Sequence, residues 1–399
     1  MPPAYSLYIH VPFCTHRCAY CDFNTYAGLE TIIPDYTHAL CREIELVASS
    51  TDNRLEAYTL YFGGGTPSLL PAMDIERILS TIQVNFSLPK DCEVSLEANP
   101  GTVTLEYLKD IHSLGVHRLS LGAQSTNTVE LQILGRQHSW NTVVQSIDWA
   151  REAGFDNINL DLIFGLPGQL LTNWEVTLSQ ALSLQPEHFS LYSLTLEKGT
   201  PLQKQVEVGT LPEIDPDLAA DMYELASEHL ESTKYTQYEI SNWAKLTVDE
   251  SLSPTQNPTF SCYHNLQYWH NLPYLGFGAG AHGYADSFRT ANVLHPATYI
   301  QQCLQGYKQV FPCSPATSTL IPVDHTSEIG ETMMMGLRLT REGVSAETFK
   351  KRFDLNLEDF FNHPIKRFSE LGLLEWTGDN LRLTPRGRLL GNQVFMEFL

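Results

Sequence analysis

The sequence has no apolar run long enough to cross a membrane, and it has few basic residues for its length. A spanning helix needs about 20 consecutive apolar residues, and no segment of the 399 residues approaches that. Lysine and arginine number 25 against 46 aspartates and glutamates, a formal net charge of −21. Broad nucleic-acid binding needs clustered positive charge to neutralise phosphates. The composition therefore predicts a soluble, cytoplasmic protein that does not bind nucleic acid.

An export signal is also missing from the beginning of the sequence. No basic segment followed by an apolar run lies there, so we expect no oxidising compartment in which disulfides would form. The chain has eight cysteines. Isolated cysteines in such a protein are typically buried free thiols, and four fit that description: Cys41, Cys92, Cys303 and Cys313.

Three other cysteines, Cys14, Cys18 and Cys21, lie within eight residues of one another, directly after a short apolar segment. Three thiolates from one loop can bind three irons of a [4Fe–4S] cluster and leave the fourth iron open to a small molecule. Zinc usually takes its four ligands as two separated pairs, and the chain has no second pair of close cysteines. The spacing therefore favours an iron–sulfur cluster with one open coordination position.

The spacing of these cysteines and the residues around them resemble the radical S-adenosylmethionine (SAM) superfamily. In that superfamily the open iron binds the amino and carboxylate groups of SAM, and one electron from the cluster cleaves SAM to a 5′-deoxyadenosyl radical. The resemblance thus implies SAM as a second cofactor and an electron donor to the cluster as a partner.

Strand-like and helix-like segments alternate through the first half of the chain. Such alternation predicts parallel strands joined by right-handed crossovers. Six units are fewer than the eight of a closed barrel. The prediction is an α/β fold with a partial (β/α)₆ barrel, which the superfamily resemblance also implies. The six predicted strands are 6–10, 59–63, 93–98, 118–122, 157–163 and 188–194.

Polar residues and glycines follow the ends of several predicted strands. Ligands of parallel α/β folds bind at this edge, and glycines let the backbone approach a ligand closely. In their order these residues resemble the oxygen-independent coproporphyrinogen III oxidase branch of the superfamily. There the carboxylates can accept ribose hydroxyl protons, and the arginine can hold the methionyl carboxylate. The SAM contacts that the resemblance implies are Tyr8, Gly64, Gly65, Thr66, Glu97, Gln124, Arg136 and Asp161.

The pattern changes beyond the sixth strand. We predict a partial barrel over 1–200, an extension over 201–323 with a helix at 217–231 and a strand at 235–243, and a C-terminal domain over 324–399. In this last region helices precede a hairpin, which predicts a winged-helix-like α+β domain. Its ten basic and twelve acidic residues favour a lid or docking module rather than a DNA reader.

Two departures distinguish the chain from the coproporphyrinogen dehydrogenases of that branch. Only seven residues precede Tyr8, where those enzymes have a long extension, and Phe23 stands where they have a further cysteine. Residues 264–269, His-Asn-Leu-Gln-Tyr-Trp, resemble the signature of the HemW heme chaperones. That resemblance implies a protein that binds heme and delivers it to apo-hemoproteins of the respiratory chain. It also implies a homodimer and a location near the membrane.

His264 is the candidate heme ligand, because imidazole is a common axial ligand of heme iron and aromatic rings pack on porphyrins. The alternative is structural, with this motif hydrogen-bonded inside the core. A catalytic function also stays open, namely oxidative decarboxylation of coproporphyrinogen III or another radical reaction on a tetrapyrrole. No catalytic residue is assigned.

Overall fold

The computed structural model describes residues 4–248 and 250–399, which form two compact units. The first unit comprises residues up to 187, 191–223 and 273–322, and the second comprises 188–190, 224–272 and 323–399. The region predicted as a barrel extension, 201–323, is therefore divided between the two units.

The strands of the described residues are numbered in chain order. They are β1 (Tyr5–Val11), β2 (Phe13–Cys14), β3 (Tyr26–Ala27), β4 (Ala57–Gly64), β5 (Glu93–Ala98), β6 (Arg118–Gln124), β7 (Asn157–Phe164), β8 (His188–Ser193), β9 (Tyr235–Glu239), β10 (Asn242–Lys245), β11 (Tyr274–Phe277), β12 (His282–Ala285), β13 (Phe288–Asn292), β14 (Thr317–Pro322), β15 (Val344–Ser345), β16 (Leu374–Thr377) and β17 (Asn380–Leu383).

The helices of the described residues are numbered in the same way. They are α1 (Ile33–Ala48), α2 (Ala72–Asn85), α3 (Leu105–Ser113), α4 (Thr128–Leu134), α5 (Trp140–Ala153), α6 (Leu171–Ser183), α7 (Pro201–Glu207), α8 (Pro216–Ser232), α9 (Tyr263–Trp269), α10 (Pro296–Gln305), α11 (His325–Gly336), α12 (Ala346–Phe353), α13 (Leu357–Phe360), α14 (Asn362–Glu370), α15 (Pro385–Leu389) and α16 (Gly391–Phe395).

The first unit is built on an open sheet. Its strand order is β14, β13, β12, β11, β1, β4, β5, β6 and β7. The strands from β11 to β7 in this order are parallel, whereas β12, β13 and β14 pair antiparallel. The predicted partial barrel is confirmed, and its first five predicted strands lie within β1, β4, β5, β6 and β7. The sheet is extended beyond β1 by hairpins that come late in the chain.

The alternation of side chains along β1 explains why one face of this sheet carries polar side chains. Leu7 and Ile9 are fully buried on one face. Ser6, Tyr8 and His10 alternate with them, so they share the opposite face. The Thr59 hydroxyl of β4 donates to the Ser6 hydroxyl on that face. One face of β1 is therefore apolar and the other carries polar side chains.

The second unit contains a hairpin, a separate three-stranded sheet and its own apolar core. Residues 188–190 of β8 pair antiparallel with β10, and β10 pairs with β9. The prediction of one strand over 235–243 is wrong, because the chain reverses between β9 and β10. The turn lies at Ile240 and Ser241.

The predicted C-terminal hairpin is confirmed. Strands β16 and β17 pair antiparallel, and β15 adds to β17. Helix α15 begins at Pro385, consistent with the preference of proline for a first turn. Fully buried side chains from helices and wing form the core of this region, among them Met333, Leu337, Leu381, Leu383 and Val394.

No helix in the part of the chain that the structure describes combines the length and apolar character needed to span a bilayer.

Candidate functional site

The loop that carries the three cysteines is held at its centre by backbone hydrogen bonds. The Ala19 amide donates to the Leu134 carbonyl at the end of α4, 3.0 Å away, and the Leu202 amide donates to the Ala19 carbonyl at 2.9 Å. A turn within the loop brings the Cys21 amide to the Cys18 carbonyl at 3.3 Å. Two distant segments of the first unit therefore fix the loop.

All three cysteines are free thiols, with Cys14 buried and Cys18 and Cys21 half-buried. The Thr66 hydroxyl donates to the Cys14 sulfur, 3.6 Å away. Burial raises the pKa of the Cys14 and Cys18 thiols, an effect that the positive charge of Arg136 opposes. Thiolates must form before metal binds, and cationic iron would stabilise them in this partly apolar setting.

The donor set fits a cluster better than a single metal ion. Across residues 4–248 and 250–399, no three histidine, cysteine, aspartate or glutamate side chains converge closely enough to hold one ion. In a [4Fe–4S] cluster each thiolate binds a different iron, so the three sulfurs need not converge on one point. Cys14, Cys18 and Cys21 are thus the residues that would hold the cluster.

The glycine turn after β4 packs directly against the cysteine loop. The Gly64 φ is +112°, and a Cβ there would lie 2.5 Å from the His10 ring. A Cβ on Gly65 would lie 2.6 Å from the Phe13 carbonyl oxygen, and the Gly65 amide donates to the Val11 carbonyl at 2.8 Å. Glycine is therefore required here for packing as well as for access to a ligand.

Two carboxylates lie on the polar face of the sheet. Glu97 of β5 accepts hydrogen bonds from the Tyr61 hydroxyl at 2.8 Å and the Gly64 amide at 3.1 Å. Asp161 of β7 accepts from the Ser120 hydroxyl at 3.0 Å. Burial first, and the Asp161 charge second, raise the pKa of Glu97 to about 7. Ionised carboxylates at these positions can accept hydrogen bonds from hydroxyl groups.

A hydrogen-bonded chain connects Arg136 to the cysteine loop at two points. The guanidinium donates from Nη2 to the Tyr20 hydroxyl at 2.8 Å and from Nη1 to the Asn99 Oδ1 at 2.5 Å. The Asn99 amide donates in turn to the Thr66 hydroxyl at 2.9 Å, which reaches the Cys14 sulfur. Tyr20 and Asn99 were not among the predicted site residues, although Tyr20 lies between Cys18 and Cys21 and Asn99 lies two positions after Glu97.

Gln124 ends β6 in the left-handed region, with a φ of +66°. A Cβ on Gly122 would lie 3.0 Å from the Gln124 amide nitrogen and 3.2 Å from the Arg136 guanidinium, so these two polar groups meet above the glycine. Strained backbone that is retained at such a position is typical of ligand sites.

Tyr8 is held by a relay to the backbone. The His10 Nε2 lies 3.0 Å from the Asn24 carbonyl oxygen, and the Tyr8 hydroxyl lies 3.1 Å from His10 Nδ1. A carbonyl can only accept, so Nε2 carries the proton and Nδ1 accepts from Tyr8. All eight predicted SAM contacts thus lie in the first unit.

His264 lies in the second unit, on α9, and is only 1% exposed. Its Nε2 is 2.8 Å from the Tyr268 hydroxyl, one turn further along the helix. Trp269 packs beneath the Arg338 guanidinium, 4.4 Å from its ring centre. The Tyr268 hydroxyl therefore occupies the position in which a ligand would reach the His264 Nε2.

Comparisons with known proteins agree on one family. A family model described as the radical SAM superfamily matches residues 8–181, and one described as the HemN C-terminal domain matches residues 323–390. The chain is 38% identical over 396 residues to heme chaperone HemW of Bacillus subtilis, with 99% of each chain covered. It is 37% identical over 405 residues to heme chaperone HemW of Escherichia coli, with 100% of this chain and 98% of that protein covered.

The solved structure of coproporphyrinogen III oxidase (HemN) from Escherichia coli superposes with a TM-score of 0.81. The match covers 99% of this chain and 90% of that one, at 24% sequence identity. It supports the same overall fold.

Proposed function

Because this chain belongs to the HemW family within the radical SAM superfamily, we propose that it is a heme chaperone, which binds heme and delivers it to apo-hemoproteins of the respiratory chain. The observation that carries the proposal is the similarity to proteins of that name along nearly the whole chain, 38% identity with 99% of both chains covered. The proposal includes a cytoplasmic location close to the membrane, an electron donor for the cluster and a homodimer.

The residue at position 23 supports heme carriage over decarboxylation. The coproporphyrinogen dehydrogenases that the chain resembles place a cysteine two positions after the third cluster cysteine. This chain has Phe23 there, and 63% of that residue is exposed. A phenyl ring offers no thiol chemistry, but its exposed face can contact a flat apolar molecule.

In this proposal Cys14, Cys18 and Cys21 hold the cluster, and the polar residues at the strand ends hold SAM. When bound, the cluster would supply a single electron. Arg136 pairs with the SAM carboxylate, and Glu97 and Asp161 accept its ribose hydroxyl protons. The remaining contacts would come from Tyr8, Gly64, Gly65, Thr66 and Gln124. These residues bind and orient SAM whether or not it is consumed.

One anaerobic experiment separates the carrier from the enzyme. The reconstituted, reduced protein is incubated with SAM and, in parallel, with hemin or with coproporphyrinogen III, and the HemN enzyme of Escherichia coli serves as the positive control for oxidation. We expect uptake of about one heme per chain and no protoporphyrinogen IX. Formation of protoporphyrinogen IX at a rate comparable to that of the control would overturn the proposal in favour of the oxidase.

A further inference from the structure

Glu43 of α1 is a carboxylate with no exposed surface, and it is not among the residues assigned to the cluster or to SAM. We propose that Glu43 is a positioning residue of the SAM site. Through the segment 278–279 and Asn24 it fixes the orientation of Tyr8 and the end of the cysteine loop. This inference rests on the SAM binding in the proposed function and specifies how that site is held in shape.

Three hydrogen-bond donors from distant parts of the first unit meet at the Glu43 carboxylate. Its Oε1 accepts from the Asn292 side-chain amide at 2.7 Å. Its Oε2 accepts from the Gly278 amide at 2.8 Å and from the Tyr299 hydroxyl at 2.6 Å. Amide nitrogens can only donate, and a carboxylate can only accept. A carboxylate therefore satisfies all three groups at once, whereas a glutamine would turn its own NH2 group toward at least one of the two amide donors.

Packing alone does not explain a charged group at this position. None of the three donors to Glu43 carries a charge, and the removal of a carboxylate from water is costly unless hydrogen bonds offset that cost. An apolar residue of similar volume in α1 would avoid the cost altogether. The carboxylate is therefore explained by what its three hydrogen bonds hold in place.

The segment that Glu43 holds follows directly after β11. The Asn292 amide that binds Glu43 also donates to the Gly278 carbonyl at 3.0 Å, so the peptide groups on both sides of Gly278 are fixed. The Gly278 φ is +106°, and a Cβ there would lie 2.5 Å from the His10 carbonyl oxygen. Only glycine lets this segment lie so close to the backbone of β1.

Ala279 connects this segment to β1 and to the cysteine loop. Its amide donates to the Tyr36 hydroxyl at 2.8 Å, and that hydroxyl donates to the His10 carbonyl at 2.8 Å. The Ala279 carbonyl accepts from the Asn24 side-chain amide at 3.0 Å. A shift of the segment would therefore move Asn24, which lies three residues after Cys21.

Asn24 is also the residue that orients Tyr8. Its backbone carbonyl accepts from the His10 Nε2 at 3.0 Å, which leaves Nδ1 to accept from the Tyr8 hydroxyl at 3.1 Å. Tyr8 is one of the proposed SAM contacts. A continuous set of hydrogen bonds and peptide groups thus connects the buried Glu43 carboxylate with the SAM site.

The first test is a calorimetric SAM titration of Glu43→Gln in the anaerobically reconstituted full chain. We expect SAM to bind about tenfold more weakly, because one hydrogen bond of the carboxylate is lost and a buried donor is left without a partner. Iron content and the paramagnetic resonance spectrum of the reduced cluster without SAM should equal those of the wild type. Hydrogen exchange of residues 24–27 should be faster even without SAM, because their attachment is loosened.

Leu40→Ala is the matched control, because Leu40 is also fully buried in α1. Its loss of packing should lower the melting temperature and leave SAM affinity unchanged. If Glu43→Gln does not fold, Tyr299→Phe decides, since it removes only one of the three hydrogen bonds. We expect Tyr299→Phe to weaken SAM binding about threefold, and wild-type affinity in this variant would then overturn the inference.

A double-mutant cycle tests the path through Asn24. Asn24→Ala removes the hydrogen bond to the Ala279 carbonyl and should itself weaken SAM binding. The addition of Glu43→Gln to this variant should cause little further loss, because the path is already interrupted. Losses that multiply in the double variant would overturn the proposed path.

Three further results would contradict the inference in different ways. If the wild type binds no SAM, the SAM binding in the proposed function fails, and the inference fails with it. If the wild type binds SAM and Glu43→Gln binds it with equal affinity, the SAM site stands and Glu43 does not position it. A loss of SAM affinity in Leu40→Ala equal to that in Glu43→Gln would assign the effect to packing and overturn the inference.

Discussion

Gln124, a proposed SAM contact, has a strained backbone conformation. Its φ of +66° costs a non-glycine residue about 1–2 kcal/mol, and its side chain meets the Arg136 guanidinium above Gly122. We expect Gln124→Gly to be more stable than Gln124→Ala by about 1 kcal/mol, because only glycine relieves the strain. Both variants should bind SAM more weakly than the wild type. Chemical denaturation and SAM calorimetry measure these effects.

The control for this prediction is Gln132 on α4, an exposed helical position. There the order should reverse, with glycine about 1 kcal/mol less stable than alanine. The same order at both positions would contradict the assignment of strain to Gln124.

Arg136 should contribute to SAM affinity and not to iron content. Arg136→Ala removes the proposed partner of the SAM carboxylate, and the loss of a charge-assisted hydrogen bond should weaken SAM binding by about 10- to 100-fold. Iron content should stay at the wild-type level, since Cys14, Cys18 and Cys21 remain. Calorimetric titration with SAM and iron analysis check both expectations. Unchanged SAM affinity would reject the role, and Arg42→Ala on the exposed surface of α1 provides the control.

The Glu97 carboxyl should make stability depend on pH in an unusual direction. Burial raises its pKa from 4.5 to about 7, so between these values the folded protein holds a proton that the unfolded chain has lost. The contribution of Glu97 to the free energy of unfolding is therefore greatest below pH 4.5. It falls as pH rises through this window and is lost above pH 7.

Glu97→Gln removes this contribution. We expect its free energy of unfolding to fall less steeply than that of the wild type between pH 4.5 and 7, as measured by urea denaturation at a series of pH values. Glu76→Gln, which changes an exposed carboxylate of α2, should keep the wild-type slope. The same slope in Glu97→Gln and wild type would show that burial does not hold the proton on this carboxyl.

The sequence suggested single site residues but not the side chains that bind them. The cysteines and the residues at strand ends belong to compact motifs, so they could be assigned from chemistry and resemblance. Tyr20 and Asn99 bind Arg136 across 116 and 37 residues of sequence, and such pairs depend on how strands meet in space. His264 is buried and hydrogen-bonded to Tyr268. The sequence motif alone does not show whether this histidine is buried or accessible to a ligand.

At the scale of elements, the glycine turn after β4 should determine the position of the cysteine loop. A Cβ on Gly65 would lie 2.6 Å from the Phe13 carbonyl oxygen and 2.9 Å from the Val11 carbonyl oxygen, so the backbone must shift. We expect Gly65→Ala to lose about 1–3 kcal/mol of stability and to retain less iron after reconstitution. Denaturation and iron analysis measure the two effects.

Gly101→Ala is the matched control for this prediction. Nothing lies within 4 Å of a Cβ at Gly101, so the change should alter stability by no more than about 0.5 kcal/mol and leave iron content unchanged. Full iron content in Gly65→Ala would mean that the turn does not position the cysteine loop.

Strands in the repeating β/α units were predicted well. The strands that follow these units in the chain were not. The segment 93–98 was predicted with the bounds of β5, because a strand before a helix in a repeating unit has strong local signals. The hairpin β9–β10 was predicted as one strand, because its turn residues, Ile240 and Ser241, include no glycine or proline. Strands β11 to β14, which extend the sheet beyond β1, are short and follow no repeating unit.

At the scale of the whole molecule, the proposed function requires transfer as well as binding. If heme first dissociates from the chaperone, the dissociation rate sets the rate at which an acceptor receives it. Heme that is handed over in a complex moves faster as acceptor concentration rises. The large negative charge of −21 would make such a complex sensitive to salt, since charged surfaces steer association.

Stopped-flow transfer of heme from the loaded chain to an apo-hemoprotein of the respiratory chain, over a range of acceptor concentrations, distinguishes handover from release. We predict an observed rate that increases with acceptor concentration and exceeds passive release measured with an excess of apomyoglobin. A rate that equals passive release and stays constant at every acceptor concentration would contradict a chaperone function.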